Sequence, residues 1–315
     1  MNVAAIDCGT NSFRLLIASA GPGGALVERT RELRIVRLGR GVDATGELHA
    51  DALARVFAAA EEYAGLLQAY EVPAARTLVV ATSAARDARN VEEFFAGMEQ
   101  RLGVRPRVIS GTEEAQLSFV GALHGVGDSL VSGGLVGEAG PVLVMDIGGG
   151  STELVLGAAD GQIERSVSLD IGSVRLTERL GLVGPVSAGP REAAEAYVDG
   201  LLDGLGWPLA EIGTWIGVAG TVTTMSAITQ VLPTYDRALV HGSTMTPDQV
   251  AGLLARLARL TADEIRELGP VESGRADVIT AGTLIADRVA RRVHRPMVVS
   301  ETDILDGLAL SLLPS

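Results

Sequence analysis

The chain has 315 residues, of which 47% are hydrophobic and only 3% aromatic, and its formal net charge at pH 7 is −13. This length is enough for two domains of ordinary size. The acidic balance argues against general nucleic-acid binding, which requires a basic face. All 26 basic residues are arginine, which excludes a P-loop lysine, a Schiff-base lysine and a lysine general base. Fixed positive charge must therefore come from arginine or from a metal ion, and a local arginine cluster can still bind a polyanion.

The single cysteine, Cys8, cannot form an internal disulfide, which fits a reducing compartment. A buried structural role is favoured over a nucleophilic one, because free cysteine is commonly a core residue. None of the four histidines has a partner at metal-ligand spacing. No basic leader precedes the first apolar stretch, and no apolar run reaches the roughly 18 residues of a membrane span. The sequence predicts a soluble, cytoplasmic protein without a nucleic-acid or membrane partner.

Residues 2–20 predict the first β-hairpin: an apolar stretch ends at Asp7, a small polar turn follows, and a second apolar stretch begins at Phe13. A further strand is predicted at 26–38 and an Ala/Leu-rich helix at 50–69. Five arginines crowd this region, and they form either a solvated strand face or part of an electropositive wall for phosphates: Arg29, Arg31, Arg34, Arg37 and Arg40.

A buried strand at 77–82 leads into a strand-to-helix turn that carries Arg86. Open α/β sheets bind ligands at such turns, so Arg86 is a candidate for contact with an anion. A helix at 91–101 and a strand at 104–109 are predicted next. A helix of roughly ten residues then opens at Ser110, and a Gly-rich connection at 125–141 leads to the second half. Glu113 and Glu114 lie in the first turn of this helix, where the helix dipole favours acidic residues. The alternative is that one of the two acts as a general base.

The hairpin predicted at residues 142–158 is the stretch around which the sequence is organised. Asp146 precedes a Gly-Gly-Gly-Ser-Thr turn, and Glu153 follows it. Glycines let the backbone lie against a ligand, and successive N–H groups in such a turn form a concavity that suits phosphate. Mg²⁺ binds one or two carboxylates together with phosphate oxygens, so the two acids fit a cation site. The alternative is a structural hairpin with two solvated acids.

The two hairpins share one plan. Three residue pairs recur at a constant separation of 139 positions: Asp7 with Asp146, Gly9 with Gly148, and Ser12 with Ser151. The repetition predicts a duplicated domain with a phosphate chain held between the halves.

The rest of the second half is predicted to repeat the βα order of the first. The Gly220-Thr221 turn opens a helix and favours a phosphate or nucleoside phosphate, the alternative being a plain strand–turn–helix. The predicted elements are a strand at 162–169, a turn at 170–175 with a helix to 180, a helix at 191–205, a strand at 215–219, helices opening at 220 and 246, a helix at 275–293, a strand at 297–299 and a helix at 304–313.

Seven motifs together resemble the actin/Hsp70/sugar-kinase superfamily and, within it, the exopolyphosphatase and guanosine pentaphosphate phosphatase (Ppx/GppA) family. They are IDCGTNSFRLLI, ATSAARDARN, ISGTEEA, DIGGGSTEL, DIGSVRLTE, GVAGTVTTMSAI and RADVITAG. The resemblance implies an α/β fold of duplicated ribonuclease H-like domains with an interdomain cleft. The expected domains are residues 1–123 with about 300–315, and residues 124–299. The chain is similar to the short, two-domain, actinobacterial-type members, which lack a C-terminal helical domain.

The resemblance also implies roles for individual residues. Glu114 matches the catalytic glutamate, and Asp146 and Glu153 match acids that serve the metal and the attacking water; Asp7 is expected as a further metal ligand. Arg86 matches an arginine near the phosphates. The other expected phosphate-binding residues are Thr10, Asn11, Ser12, Arg14, Gly148, Gly149, Gly150, Ser151, Thr152, Gly220, Thr221 and Arg275.

The activity implied is hydrolysis of a terminal phosphoanhydride with release of orthophosphate, aided by Mg²⁺ or Mn²⁺. The expected substrate is inorganic polyphosphate, with short chains favoured. The alternatives are conversion of pppGpp to ppGpp, an ATP-dependent kinase of the same superfamily, and a catalytically silent sensor of guanosine polyphosphate. A homodimer is expected from the resemblance alone.

Overall fold

The computed structural model describes residues 1–22, 25–132 and 140–313, and the side chains of residues 127–132 lie outside the description. The chain forms two compact units, Met1–Gly121 with Ile304–Ser315 and Ala122–Asp303. No helix in the described part of the chain is long and apolar enough to cross a membrane.

The first unit is built on a sheet that has five strands among the described residues. Its strands are β1 (Asn2–Cys8), β2 (Ser12–Ala20), β3 (Leu26–Ile35), β4 (Thr77–Ala81) and β5 (Arg107–Val108). The spatial order is β3-β2-β1-β4-β5. The first three strands form an antiparallel meander, whereas β4 pairs with β1, and β5 with β4, in parallel.

Helices cover both faces of this sheet. They are α1 (Val42–Thr45), α2 (Ala50–Ala69), α3 (Ser83–Asp87), α4 (Val91–Leu102), α5 (Gly111–Ser132) and the C-terminal helix Ile304–Leu312. Side chains alternate between the faces of a strand. Ala4 and Ile6 of β1 therefore lie in one buried cluster with residues of α2 and α4, while Val3 and Ala5 lie in another with Leu305 of the C-terminal helix.

The second unit is built on a sheet that has six strands among the described residues. Its strands are β6 (Val142–Ile147), β7 (Thr152–Gly157), β8 (Ile163–Leu169), β9 (Thr214–Val218), β10 (Thr244–Met245) and β11 (Met297–Val299). The spatial order is β10-β11-β9-β6-β7-β8. The meander β6–β8 and the parallel strands β9 and β11 repeat the pattern of the first unit, and β10 adds an antiparallel edge.

Leu143, Met145 and Ile147 point from β6 into the large core of this unit, which also contains Trp215. Asp146 lies on the opposite face of β6, because successive residues of a strand alternate. The helices of this unit are α6 (Ser173–Leu180), α7 (Ala188–Gly204), α8 (Ala219–Thr229), α9 (Arg237–Val240), α10 (Pro247–Leu257), α11 (Ala262–Arg266) and α12 (Ile279–Val293). The C-terminal helix is α13.

The predicted α/β class with a duplicated, ribonuclease H-like strand order is confirmed. Three predicted elements differ most from the structure. Helix α5 has 22 residues instead of about ten, because Gly125 does not break it. The strand expected at 104–109 is a two-residue edge strand, and α12 begins at Ile279 rather than at 275.

Candidate active site

The glycine turn between β6 and β7 places two carboxylates side by side. The Gly148 N–H donates to the Ser151 carbonyl at 3.0 Å, which closes the turn. Asp146 and Glu153 are Cα partners in the antiparallel ladder below it, so their side chains share one face of the sheet with Cβ atoms about 5 Å apart. Asp146 is 6% exposed and Glu153 is 1% exposed. Two buried acids directly opposite each other repel unless positive charge is present.

The segment that follows β8 holds this turn from behind. The N–H groups of Val174 and Arg175 both donate to the Gly149 carbonyl, at 2.9 and 3.0 Å. A Cβ on Gly172 would stand 2.4 Å from the Gly149 carbonyl carbon and oxygen, so only glycine allows this close approach. The Thr152 hydroxyl donates to the Ile171 carbonyl at 2.5 Å, which commits this side chain to the local structure.

The N-terminal end of α6 donates hydrogen bonds to the carbonyls of the glycine turn. The Ser173 N–H and hydroxyl both donate to the Gly148 carbonyl, at 2.9 and 3.2 Å. Helix N-termini bind anions through such N–H groups, and here the first ones are bonded to the turn. The carbonyls of Gly148 and Gly149 are thereby fixed towards α6.

The turn between β1 and β2 has the same backbone closure and a different charge pattern. The Gly9 N–H donates to the Ser12 carbonyl at 2.9 Å. The partner of Asp7 in the ladder is Arg14, whose Nη2 lies 2.6 Å from Oδ2 of Asp7. An arginine, rather than a second acid, therefore neutralises this aspartate. The structure adds a partner that was absent from the sequence interpretation of Asp7 as a metal ligand and of Arg14 as a phosphate contact.

The carbonyls of the first turn are also bonded from behind. Asn11 accepts from the N–H groups of Val36 and Arg37 at 3.0 and 2.9 Å, and Thr10 accepts from Gly39 at 2.8 Å. Thr10 and Asn11 are buried. The loop after β3 thus supports the first turn as the segment after β8 supports the second.

The structure distinguishes the two glutamates at the start of α5. The Glu113 side chain is 36% exposed and accepts a hydrogen bond from Arg107 Nη1 at 2.6 Å. The Glu113 N–H donates to the Ser110 hydroxyl oxygen at 3.1 Å, which caps the helix. The Glu114 side chain is only 12% exposed, and its Oε2 accepts a hydrogen bond from Arg86 Nη1 at 2.9 Å. Glu113 is the outward-facing helix-end acid, and Glu114 is the more sheltered one.

Arg86 also donates to the Ile109 carbonyl at 3.0 Å. Its guanidinium is thus fixed between the end of β5 and the first turn of α5. Arg86 and Glu114, both selected from sequence, are directly in contact.

The Gly220-Thr221 turn is in the first turn of α8, and the guanidinium of Arg275 packs against Gly220. A Cβ on Gly220 would stand 1.7 Å from Arg275 Nη1, so the glycine makes room for the guanidinium. Arg275 also donates from Nε to Glu272 at 3.2 Å. Thr221 is buried. The structure brings Gly220 and Arg275 together, which their sequence separation did not indicate.

Two other interpretations acquire structural support. Burial, and secondly the negative charge of Asp7, raise the pKa of the Cys8 thiol well above its usual value, which fits a core cysteine. Arg31 forms ion pairs with Glu28 and Asp306. Arg34 forms ion pairs with Glu32 and Glu62. These contacts favour the strand-face interpretation of the arginine-rich region.

Asp146 and Glu153 fit a divalent cation that shares its coordination with a substrate. Within residues 1–22, 25–132 and 140–313, no group of three or more His, Cys, Asp or Glu side chains could hold a metal ion. The pair therefore supplies hard oxygen ligands without a complete protein cage. That arrangement suits Mg²⁺, which keeps other positions for water and phosphate oxygens.

Comparisons with known proteins agree over nearly the whole chain. The family model described as the Ppx/GppA phosphatase family matches residues 16–315. Exopolyphosphatase 2 of Mycobacterium tuberculosis is 44% identical over 329 residues, which cover 98% of this chain and 98% of that protein.

Solved structures of similar proteins superpose well. The crystal structure of an exopolyphosphatase-like protein has a TM-score of 0.89 and 39% identity and covers 98% of this chain and 97% of that one. The Ppx/GppA family member of Aquifex aeolicus has a TM-score of 0.80 and 29% identity, with 99% and 97% coverage.

Proposed function

This chain belongs to the Ppx/GppA phosphatase family and is a phosphoanhydride hydrolase, and we propose that it releases terminal orthophosphate from inorganic polyphosphate, with short chains preferred. The observation that carries the proposal is the pair of buried carboxylates, Asp146 and Glu153, opposite each other below a glycine turn. The similarity to Exopolyphosphatase 2 over 98% of both chains supports polyphosphate as the substrate.

In this proposal, backbone N–H groups and arginine side chains bind the phosphates of the substrate. Phosphate oxygens are bound and oriented by Arg14, Arg86 and Arg275 and by the N–H groups of the second glycine turn other than that of Gly148, which closes the turn. Phosphoryl transfer has a loose transition state with charge spread over the equatorial oxygens, so positioning and positive charge provide most of the catalysis. A divalent cation held by Asp146 and Glu153, with Asp7 as a further proposed ligand, would add positive charge at the phosphates.

Glu114 is the proposed general base. Its carboxylate accepts a proton from the water that attacks the terminal phosphorus in line with the leaving oxygen. Arg86 fixes one carboxylate oxygen at 2.9 Å, so the Glu114 side chain has a defined orientation before substrate binds. When phosphate binds, the same arginine can contact a phosphate oxygen through its other donors, because guanidinium carries five.

Replacement of Glu114 by glutamine tests this role. We expect Glu114→Gln to keep the fold and to lose about 10²–10⁴-fold in the rate of phosphate release, the usual range for general acid–base groups. Glu113→Gln is the matched control, because it changes the neighbouring exposed acid that pairs with Arg107, and it should keep nearly full activity. Near-normal release by Glu114→Gln would remove Glu114 from the role.

The substrate is tested by orthophosphate release from polyphosphates of defined length, pppGpp and ATP, measured side by side at several Mg²⁺ concentrations. Faster release from polyphosphate supports the proposal. Faster release from pppGpp supports the alternative conversion to ppGpp. Phosphate release without an acceptor argues against a kinase, and any turnover argues against a silent sensor.

We also propose that the protein acts in the cytoplasm as a homodimer, with Mg²⁺ or Mn²⁺ as its cation. Light scattering of the purified chain tests the dimer. A mass corresponding to one chain of 32.6 kDa would contradict it.

A further inference from the structure

Ser168 lies on β8, the edge strand of the second sheet, next to Glu153 on the neighbouring strand β7. Its hydroxyl donates a 2.7 Å hydrogen bond to Oε1 of Glu153, and the two residues are Cα partners in the ladder between β7 and β8. Residues that are directly opposite on antiparallel strands share a face. Asp146, Glu153 and Ser168 therefore form a row across three strands. No sequence motif gave Ser168 a role.

The first unit contains the corresponding row without a hydroxyl. Asp7 is opposite Arg14, and Arg14 is opposite Leu33. Arg14 bonds directly to Asp7, so an apolar residue is sufficient at the third position. In the second unit the middle residue is a carboxylate, and the third position carries a hydrogen-bond donor. This difference between two otherwise similar hairpins indicates that the Ser168 hydroxyl is directed to Glu153.

A hydrogen bond to one carboxylate oxygen limits rotation of the whole group. Glu153 has one more rotatable bond than an aspartate would have, and its carboxylate must face Asp146 for both acids to share a cation. Groups that hydrogen-bond to ligating carboxylates orient them, and the loss of such a group costs about 10–100-fold in metal affinity. The Ser168–Glu153 geometry has the form of this kind of support.

We propose that Ser168 is a positioning residue, which orients the Glu153 carboxylate for the divalent cation beside Asp146. The inference rests on the proposed function, because it assumes that this pair binds the cation. A purely structural role for the hydrogen bond would affect folding stability and leave metal affinity unchanged in the folded protein.

The test is equilibrium binding of Mn²⁺ to the whole chain, followed by the electron paramagnetic resonance signal of free Mn²⁺ in the absence of substrate. Ser168→Ala should weaken Mn²⁺ binding by about tenfold or more. Ser168→Thr keeps a hydroxyl and should restore the affinity. Ser166→Ala is the matched control, because Ser166 lies on the same face of the same strand opposite Val155, and it should bind Mn²⁺ like the wild type.

A second pair of variants applies if Ser168→Ala does not fold. Threonine and valine have nearly the same shape and differ in the hydroxyl, so Ser168→Thr should bind Mn²⁺ about tenfold more tightly than Ser168→Val. Equal affinities in this pair would overturn the role of Ser168.

The two proposals can fail separately. Wild-type Mn²⁺ affinity in Ser168→Ala would overturn the inference and leave the hydrolase proposal intact. Absence of Mn²⁺ binding by the wild type, together with full phosphate release in EDTA, would overturn the cation site and the role of Ser168 with it. Weak binding by Ser168→Ala with unchanged thermal unfolding of the metal-free protein supports the positioning role.

Discussion

The two hairpin turns of this chain have the same backbone closure and opposite charge patterns. In both, a glycine two residues after an aspartate donates to the carbonyl three residues further on, at 2.9 Å for Gly9 and 3.0 Å for Gly148. The residue across the ladder from the aspartate is Arg14 in the first turn and Glu153 in the second. One turn thus contains its own ion pair, while the other presents two acids together.

The difference indicates how a duplicated unit can acquire two roles. Arg14 pairs with Oδ2 of the buried Asp7, and this charge-assisted contact preorganises the first turn. Two buried carboxylates directly opposite each other are favourable only with added positive charge. The two facing carboxylates match the cation site proposed at the second turn. At the first turn, the ion pair holds Asp7 and Arg14 in place for their proposed contacts with the cation and phosphate.

Within the comparison of the two turns, the largest expected effect on activity comes from removing one carboxylate of the second turn. Glu153→Gln should lower phosphate release by about 10²–10³-fold, a loss typical of one preorganised electrostatic contact to a transition state. The assay is the initial rate with polyphosphate at saturating Mg²⁺. Glu164→Gln, an exposed glutamate on the same strand as Ser168, is the control. A rate close to that of the wild type would place the cation elsewhere.

The variant Glu153→Arg sharpens the same comparison. It gives the second turn the aspartate–arginine pattern of the first, so we expect loss of Mn²⁺ binding with the fold retained. Retained Mn²⁺ binding in a folded Glu153→Arg protein would argue that Asp146 suffices without Glu153.

A comparable effect, on stability instead of activity, is expected from breaking the ion pair of the first turn. Arg14→Gln leaves the buried Asp7 without this partner, and removing one member of a buried pair costs about 3–5 kcal/mol. Urea unfolding measures the change. Arg34→Gln, which breaks more exposed pairs with Glu32 and Glu62, should cost about 1 kcal/mol or less. Equal costs for the two variants would contradict the assigned role of Arg14.

The smallest effect is expected at the support behind the second turn. In Gly172→Ala the new methyl group would collide with the Gly149 carbonyl, and such overpacking costs about 1–3 kcal/mol. Gly200→Ala, inside α7 where a Cβ meets nothing within 4 Å, should instead stabilise by about 0.5–1 kcal/mol. Thermal unfolding of both variants checks the opposite signs, and a neutral Gly172→Ala would argue against a rigid turn.

The fold class was predicted from the resemblance of seven motifs to a known superfamily, and the periodic stretches predicted several element bounds. The helix at 50–69 and the strand at 297–299 have the predicted bounds. The prediction failed where tertiary packing overrides local signals. Gly125 indicated a break after a short helix, yet it lies inside α5, where a Cβ would stand 1.9 Å from Thr302 Oγ1. Glycine is required there by a close contact that no local pattern reveals.

The sequence identified the acidic residues of the candidate site, whereas most of the contacts around them required the structure. The constant separation of the two hairpins identified Asp7 and Asp146, and it also aligns Arg14 with Glu153, a difference that could have suggested the ion pair. Ser168 and Gly172 carry no local motif, because their roles depend on strand register and on backbone contact across the turn. Such roles follow only from three-dimensional pairing.

The decisive experiment measures orthophosphate release from polyphosphate after the wild-type protein has been treated with excess EDTA. If Asp146 and Glu153 hold a cation needed for hydrolysis, release should fall to background and return when Mg²⁺ is added. Full release in EDTA, with no response to added Mg²⁺, would contradict the account.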